Sequence, residues 1–184
     1  MDPARARALD APLTTPRLVL EPMTAAHADE LFDALQDPAI YDWIWLAPPA
    51  SLEALRERWA ALESRVSPDG REAWLYWVAR GPDGCLGWID VTIDREDGRE
   101  VATNVGYVLV PGAWGQGHAT EMLRAVVAHL AACGVARFVA LVTAGNVASE
   151  RVLVKAGFAF TRVLRGNDTI RGVKHDDREY VREA

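Results

Sequence analysis

"VPGAWGQGHATEML", Val110 to Leu123, joins an apolar run to a helix-like run through two glycines one residue apart, Gly115 and Gly117. A tight turn of this kind leaves the first N–H groups of the following helix without intrahelical partners. Those donors, together with the positive end of the helix dipole, suit a phosphate or pyrophosphate. Glycine permits close approach because it lacks Cβ and tolerates positive φ. Ala119 and Thr120 are small enough to keep the mouth of the helix open. The same residues also make a plain structural turn, and on their own they leave both readings standing. A dinucleotide fingerprint would put a third glycine at Thr120 and an acid about 20 positions on, where the chain instead reads "ARFVALV". A P-loop would follow its spacer with Gly-Lys-Ser/Thr, and here His118-Ala119-Thr120 follows. Both nucleotide motifs fail.

Outward from this loop the periodicity alternates between strand and helix. "RLVLEPM" (17–23) reads as a first strand, and Thr24 as the N-cap of a helix carrying Ala28, Leu31, Phe32 and Leu35 on one face. An aromatic, proline-closed loop leads to Ser51, the N-cap expected for a second helix with Leu52, Leu55, Trp59 and Leu62. Residues 73–80, 85–94 and 101–110 read as strands joined by "GPDG" and "REDGRE", hence an antiparallel meander. Ala119, Leu123, Val126 and Leu130 mark a helix that Gly134 ends, and "RFVALVTA" (137–144) is a buried strand. Residues 101–144 therefore form a strand–helix–strand unit whose default is a right-handed parallel crossover. A helix over Ser149–Ala156 and a final strand pair complete the order β-α-α-β-β-β-α-β-α-β-β.

The chain has 184 residues, half of them hydrophobic and a quarter charged, which fits one globular domain. No apolar run approaches the roughly 20 residues of a membrane-spanning helix. Residues 1–13 lack a secretory h-region and read as a flexible extension before a single domain over 14–184. Cys85 and Cys133 form no CxxC pair, which argues against a cysteine-built metal site and suits a reducing cytosol, so the expected location is cytoplasmic. A net charge of −6 disfavours nucleic-acid backbones and favours a cationic substrate such as an amine.

The segment "NVGYVLVPGAWGQGHATEML" resembles the fourth strand, pyrophosphate loop and following helix of the GNAT acetyltransferase superfamily. The family's Arg/Gln-x-x-Gly-x-Gly/Ala pattern falls on Trp114-Gly115-Gln116-Gly117-His118-Ala119, and Trp114 in place of the usual first residue is similar to the Rim-like branch. That branch acetylates protein N-termini and has many small-molecule relatives. "TPRLVLEPMTAAHADELFDAL", "GNVASERVLVKAGF" and "GVKHDDREY" resemble its other segments, so the likeness spans roughly residues 14–182. It implies an α+β fold in α/β/α layers, with a mixed, mostly antiparallel sheet of six or seven strands and about four helices. It implies acetyl-CoA as donor, a primary amine as acceptor, direct transfer in a ternary complex and no metal. Backbone groups of Val108, Leu109 and Val110 would hold the pantetheine, and the loop from Trp114 to Thr120 the pyrophosphate. Asn146 would bond the pantetheine arm, and Ser149 would protonate the leaving thiolate. The bland alternatives are a "GN" turn and a serine that satisfies its own helix start.

The base is less defined. Relatives often carry Glu where this chain has Asn104, and an amide cannot take a proton. Asp90 on the third long strand is the alternative, with an exposed strand aspartate as its structural reading, while His118 and His175 are further candidates. Asn104 then belongs with the acceptor contacts. Trp43 and Trp45 lie in the loop that helps roof the acceptor site in this architecture, where aromatic faces hold cationic amines; core packing is their other reading, and Trp74 and Trp77 read as core. Glu21 stands where Rim-like relatives carry arginine, a departure that weakens transfer of their ribosomal substrates. The resemblance also suggests a homodimer. The reading from a different class is a non-catalytic acyl-CoA-binding sensor, which the absent glutamate at Asn104 favours and Ser149 opposes.

Overall fold

The computed structural model describes all 184 residues. Five α-helices, α1 (Pro3–Leu9), α2 (His27–Leu31), α3 (Leu52–Leu62), α4 (His118–Ala132) and α5 (Val147–Lys155), accompany eight strands. The strands are β1 (Leu13–Thr14), β2 (Val19–Pro22), β3 (Ala73–Gly81), β4 (Gly84–Glu96), β5 (Arg99–Leu109), β6 (Arg137–Thr143), β7 (Ala159–Ile170) and β8 (Val173–Glu183). They form one sheet in the order β1-β2-β3-β4-β5-β6-β8-β7, antiparallel throughout except where β6 runs parallel to β5. The expected meander and parallel crossover are both present.

Period-two alternation explains the layers. Leu75, Trp77, Ile89, Val91, Val105 and Phe138 face one side, where they pack with α1, α4 and α5. Val78 and Trp88 face the other, where they pack with Leu31 of α2 and Leu55 and Trp59 of α3. Both faces of the central strands are covered, so their sequences read as nearly continuous apolar runs.

Three details differ from the sequence reading. The first thirteen residues contain α1, whose Ala6 and Leu9 are fully buried in the large core, and β1, which pairs with β2. These two elements account for the additional helix and strand. Thr24 does not cap a helix. Instead its amide donates to His27 Nδ1 at 3.0 Å, α2 stops at Leu31, and the Leu35 carbonyl accepts from the Tyr41 hydroxyl at 2.7 Å. Asn146 rather than Ser149 opens α5, accepting the Ser149 amide at 3.1 Å. Ser51 caps α3 as expected, accepting from the Ala54 amide at 3.1 Å.

The α1 segment is held by Asp10, whose carboxylate meets the buried Arg65 guanidinium. Arg65 also donates to the Met23 carbonyl at 2.8 Å and the Leu62 carbonyl at 3.0 Å. Asp10 Oδ1 has no partner, and burial pushes the carboxyl up to about 6 despite Arg65. Arg65→Met is expected to cost about 3 kcal/mol of unfolding free energy, because it strands a buried acid. Asp10→Asn should cost clearly less in the same urea titrations.

Candidate active site

The loop between β5 and α4 has the geometry of an anion cradle. Gly115 and Gly117 take φ of 74° and 83°, left-handed values that glycine adopts without strain. The amide N–H groups from Gly115 to Thr120 make no hydrogen bond within the chain, and Gly117 occupies the cap position of α4 with no side chain capping the helix. Those donors point to an anion from outside. Arg17 steadies the loop from β2's side, donating to the Gln116 carbonyl at 2.9 Å and pairing with Glu121 at 2.6 Å.

Beside the loop the sheet opens. Between β4 and β5 the register slips so that Thr92 faces Asn104 while Ile93 faces Ala102, leaving Thr103 as the extra residue of a bulge. A bulge bends its strand and increases the local twist. The parallel pairing of β5 with β6 holds only at Ala102 and Phe138, so β5 is unpaired with β6 beyond the bulge. The gap is spanned by a side-chain contact: Tyr107 Oη lies 2.7 Å from Ser149 Oγ and donates to the Ser149 carbonyl at 3.2 Å. Burial pushes the Tyr107 hydroxyl up to about 12, with the bond to Ser149 pulling the other way.

Asp90 projects from β4 on the opposite face from Ile89 and Val91, beside the bulge. The Asn104 amide donates to it at 3.3 Å, and no cation pairs with it. Burial raises its carboxyl to about 6, partly offset by Trp88. Its cross-strand partner is Gly106, where an added Cβ would lie 2.9 Å from Asp90 Oδ2. Glycine at that position gives the carboxylate its space. Tyr76, opposite Asp90 on β3, is pushed up to about 12 by burial and then by the Asp90 charge.

The roof is the segment after α2. Trp43 and Trp45 are 42% and 71% exposed, the Trp43 carbonyl accepts from Thr143 Oγ1 at 3.2 Å, and the Trp43 ring lies against Gly145. Arg171, at the β7–β8 turn, ties that hairpin to the roof through Asp42 at 3.1 Å.

Residues 17–159 match the model of the acetyltransferase (GNAT) domain family. The chain belongs to the GNAT acetyltransferase family. As a GNAT acetyltransferase it is 27% identical over 183 residues to the uncharacterized N-acetyltransferase YoaA of Bacillus subtilis (strain 168), covering 91% of this chain and 94% of that one. RimL, a ribosomal L7/L12 α-N-protein acetyltransferase solved with coenzyme A, superposes with a TM-score of 0.82 at 20% identity over 94% of this chain and 98% of its own. The Salmonella typhimurium acetyltransferase that modifies the N-terminal serine of L7/L12 gives 0.78 at 20% identity, over 92% and 96% of the two chains. The microcin C7 self-immunity acetyltransferase MccE, solved with acetyl-CoA and AMP, gives 0.76 at 17%, over 92% and 94%.

Most of the residues singled out from sequence lie along this loop and gap. Asn146 caps α5 with its carbonyl oxygen and keeps its amide donors free of any partner in the chain. Val110, just past the end of β5, is the least available of the three residues, since its amide donates to the Leu86 carbonyl and its carbonyl accepts from the Ala113 amide. The Leu109 carbonyl already accepts the Trp114 indole at 2.7 Å, so Trp114 braces the loop against the end of β5. His118 is buried, with Nε2 3.3 Å from Gln116 Oε1 and Nδ1 unpartnered. Trp77 is core, fully buried and bonded to the Ala11 carbonyl at 2.9 Å. Glu21 joins an ion network, 3.0 Å from both Arg80 and His27. Tyr107 and Arg17 are the residues that sequence reading passed over. Both lie inside quoted motifs, but their partners are 42 and 104 positions away.

Gly106→Ala would drive Asp90 out of its position. It is expected to lower turnover at least about tenfold while leaving coenzyme A affinity within about twofold, because the change is confined to the β4–β5 face. Calorimetry and thiol-release kinetics check the two halves separately.

Proposed function

We propose that the protein transfers the acetyl group of acetyl-CoA to a primary amine by direct attack in a ternary complex. The observation that carries this reading is the row of unpartnered amides from Gly115 to Thr120, set at the mouth of a gap that contains the Tyr107–Ser149 pair. Coenzyme A and acetyl-CoA in the RimL and MccE structures support the choice of donor.

In this reading the loop amides hold the pyrophosphate, and the pantetheine lies in the gap between β5 and β6. The end of β5 at Val108 and Leu109 on one side and the Asn146 amide on the other would contact it. The amine must be neutral to attack, whereas a free α-amine has a pKa near 8 and a lysine near 10.4. Asp90 takes the proton that the amine gives up, directly or through one water. The amine nitrogen bonds to the thioester carbon and the carbonyl becomes an oxyanion; the nitrogen, now cationic, releases its second proton to solvent, and collapse of the oxyanion breaks the C–S bond. Ser149 donates a proton to the departing thiolate, and Tyr107 Oη, 2.7 Å away, replaces it. The proton taken by Asp90 returns through solvent to the hydroxyl pair, so the site is restored.

Two outcomes test the assignment. Ser149→Ala and Tyr107→Phe should each reduce kcat, by about 10²-fold for Ser149, with acetyl-CoA binding nearly unchanged. An undiminished kcat in Ser149→Ala would remove Ser149 from the reaction. For Asp90, the raised carboxyl predicts that kcat/KM falls as pH drops through about 6. Asp90→Asn should abolish that limb and lower kcat by about 10²–10⁴-fold. The stability effect has the opposite sign. A buried acid whose folded pKa is raised binds its proton more tightly when folded, so its contribution weakens as pH rises from 3.8 to about 6. Asp90→Asn is therefore expected to keep or raise the melting temperature at pH 7.

A further inference from the structure

A second carboxylate on the acceptor side is as isolated from cations as Asp90. Asp177 of β8 is only 5% exposed, and acids are almost never buried to that degree without a cationic partner. Its neighbours have one. Asp176 pairs with Arg165 and Glu179 with Arg162 at 2.8 Å, while Arg178 of β8 pairs with Glu150 of α5 at 3.2 Å. Asp177 has no ion pair, and its side-chain partner is a neutral amide, Asn167 Nδ2 at 2.7 Å. Asp90 repeats the pattern, with the Asn104 amide at 3.3 Å and no cation.

The two acids share a face of the sheet. Phe138, Ala140 and Val142 of β6 point into the large core, so Thr143 points the other way, and Thr143 is the cross-strand partner of Asp177. Thr143 also bonds the Trp43 carbonyl, which puts Asp177 under the roof segment. Asp90 lies on that same side, opposite Ile89 and Val91. Asp90 is level with Gly106, four residues on from Ala102, and Asp177 with Thr143, five on from Phe138, the residue Ala102 faces. They therefore stand at similar heights on either side of the β5–β6 gap. Three strand spacings, from β4 through β5 and β6 to β8, with β5 and β6 parted at this height, put their Cα atoms at least about 15 Å apart. One ammonium group cannot meet both carboxylates at that separation.

We propose that the acceptor carries a second cationic group several bonds from the amine that is acetylated, and that Asp177 binds this distal cation while Asp90 receives the reacting amine. The proposal rests on the reading of this cleft as the acceptor site of an N-acetyltransferase. The Asn167 amide holds the Asp177 carboxylate in place without neutralising it, so the charge is left for the ligand. Trp43 supplies an aromatic wall along the route between the two acids. The tie between Arg171 and Asp42 joins the β7–β8 turn to the segment that carries Trp43. A linear polyamine and a peptide N-terminus followed by a basic side chain present the same chemistry.

The experiment uses two matched pairs of acceptors with acetyl-CoA: spermidine against octylamine, and a short peptide with lysine near its N-terminus against the same peptide with alanine there. The wild-type protein is expected to favour the dicationic member of one pair by roughly 10- to 100-fold in kcat/KM. The pair that shows the preference identifies the source. In Asp177→Asn, which keeps the shape of the side chain, the ratio is expected to collapse to about two or less. Calorimetry of spermidine and of the lysine peptide with the protein–coenzyme A complex needs no turnover, and the binding seen there should weaken by the same factor in Asp177→Asn. Turnover with no charge preference in either pair of the wild type overturns the proposal and leaves the acetyltransferase reading intact, whether or not the variant folds. Dication binding that depends on Asp177 without any acetyl transfer does the reverse. A preference that survives Asp177→Asn also overturns it.

Discussion

The single extra residue at Thr103 governs the site. Backbone pairing along β4 and β5 is otherwise regular, and one unpaired residue forces β5 to bend where its parallel partner begins. A regular β5 would continue its ladder with β6 past Ala102, and no space for a pantetheine arm would remain. The bend unpairs one edge of the strand inside an otherwise covered sheet. Such backbone groups are costly when they lack partners, and here a side-chain bridge from Tyr107 to Ser149 spans the opening. On the far side of the bulge Gly106 pairs with Asp90 and Asn104 donates to it, so the gap and the Asp90 pocket meet at one irregularity.

Electrostatically the molecule separates support from chemistry. Across β2, β3 and α2, Arg80 binds Glu21 and Glu30 together, and their carboxyls are held below the usual range by those bonds. This network lies at the end of the sheet away from β6, and it gives Glu21 a structural partner. Around the cleft the pattern inverts. Asp90 is raised by burial, and so are Tyr76 and Tyr107, Tyr76 also by the Asp90 charge and with Arg58 pulling the other way. A negative charge held without compensation lowers stability and raises basicity, which is the balance proton abstraction requires.

Much of this was legible in the residues. Hydrophobic period separated strands from helices, "GPDG" and "REDGRE" marked hairpins, and "WGQGHAT" marked an anion-binding helix start. Where reading failed, a distant contact had overridden a local signal. Thr24 has the chemistry of a cap, but His27 takes its amide, and the helix it would have opened breaks after one turn so that Leu35 and Tyr41 can pack. "PARARAL" looks like a polar extension until Ala6 and Leu9 meet the core and Arg65 reaches Asp10 from 55 positions away. Asp177 was invisible as a special residue among "HDDRE", since burial and a missing partner are not properties of a string.

The sequence by itself determined the family, the layer order and the glycine turn that leaves the start of α4 uncapped, because each depends on short-range spacing of residue types. Tertiary structure decided what faces the gap. Whether Ser149 meets a tyrosine, whether Gly106 clears room for Asp90, and whether Asp177 lacks a cation all depend on strand register. One residue of slippage in register carries every side chain to the opposite face of the sheet.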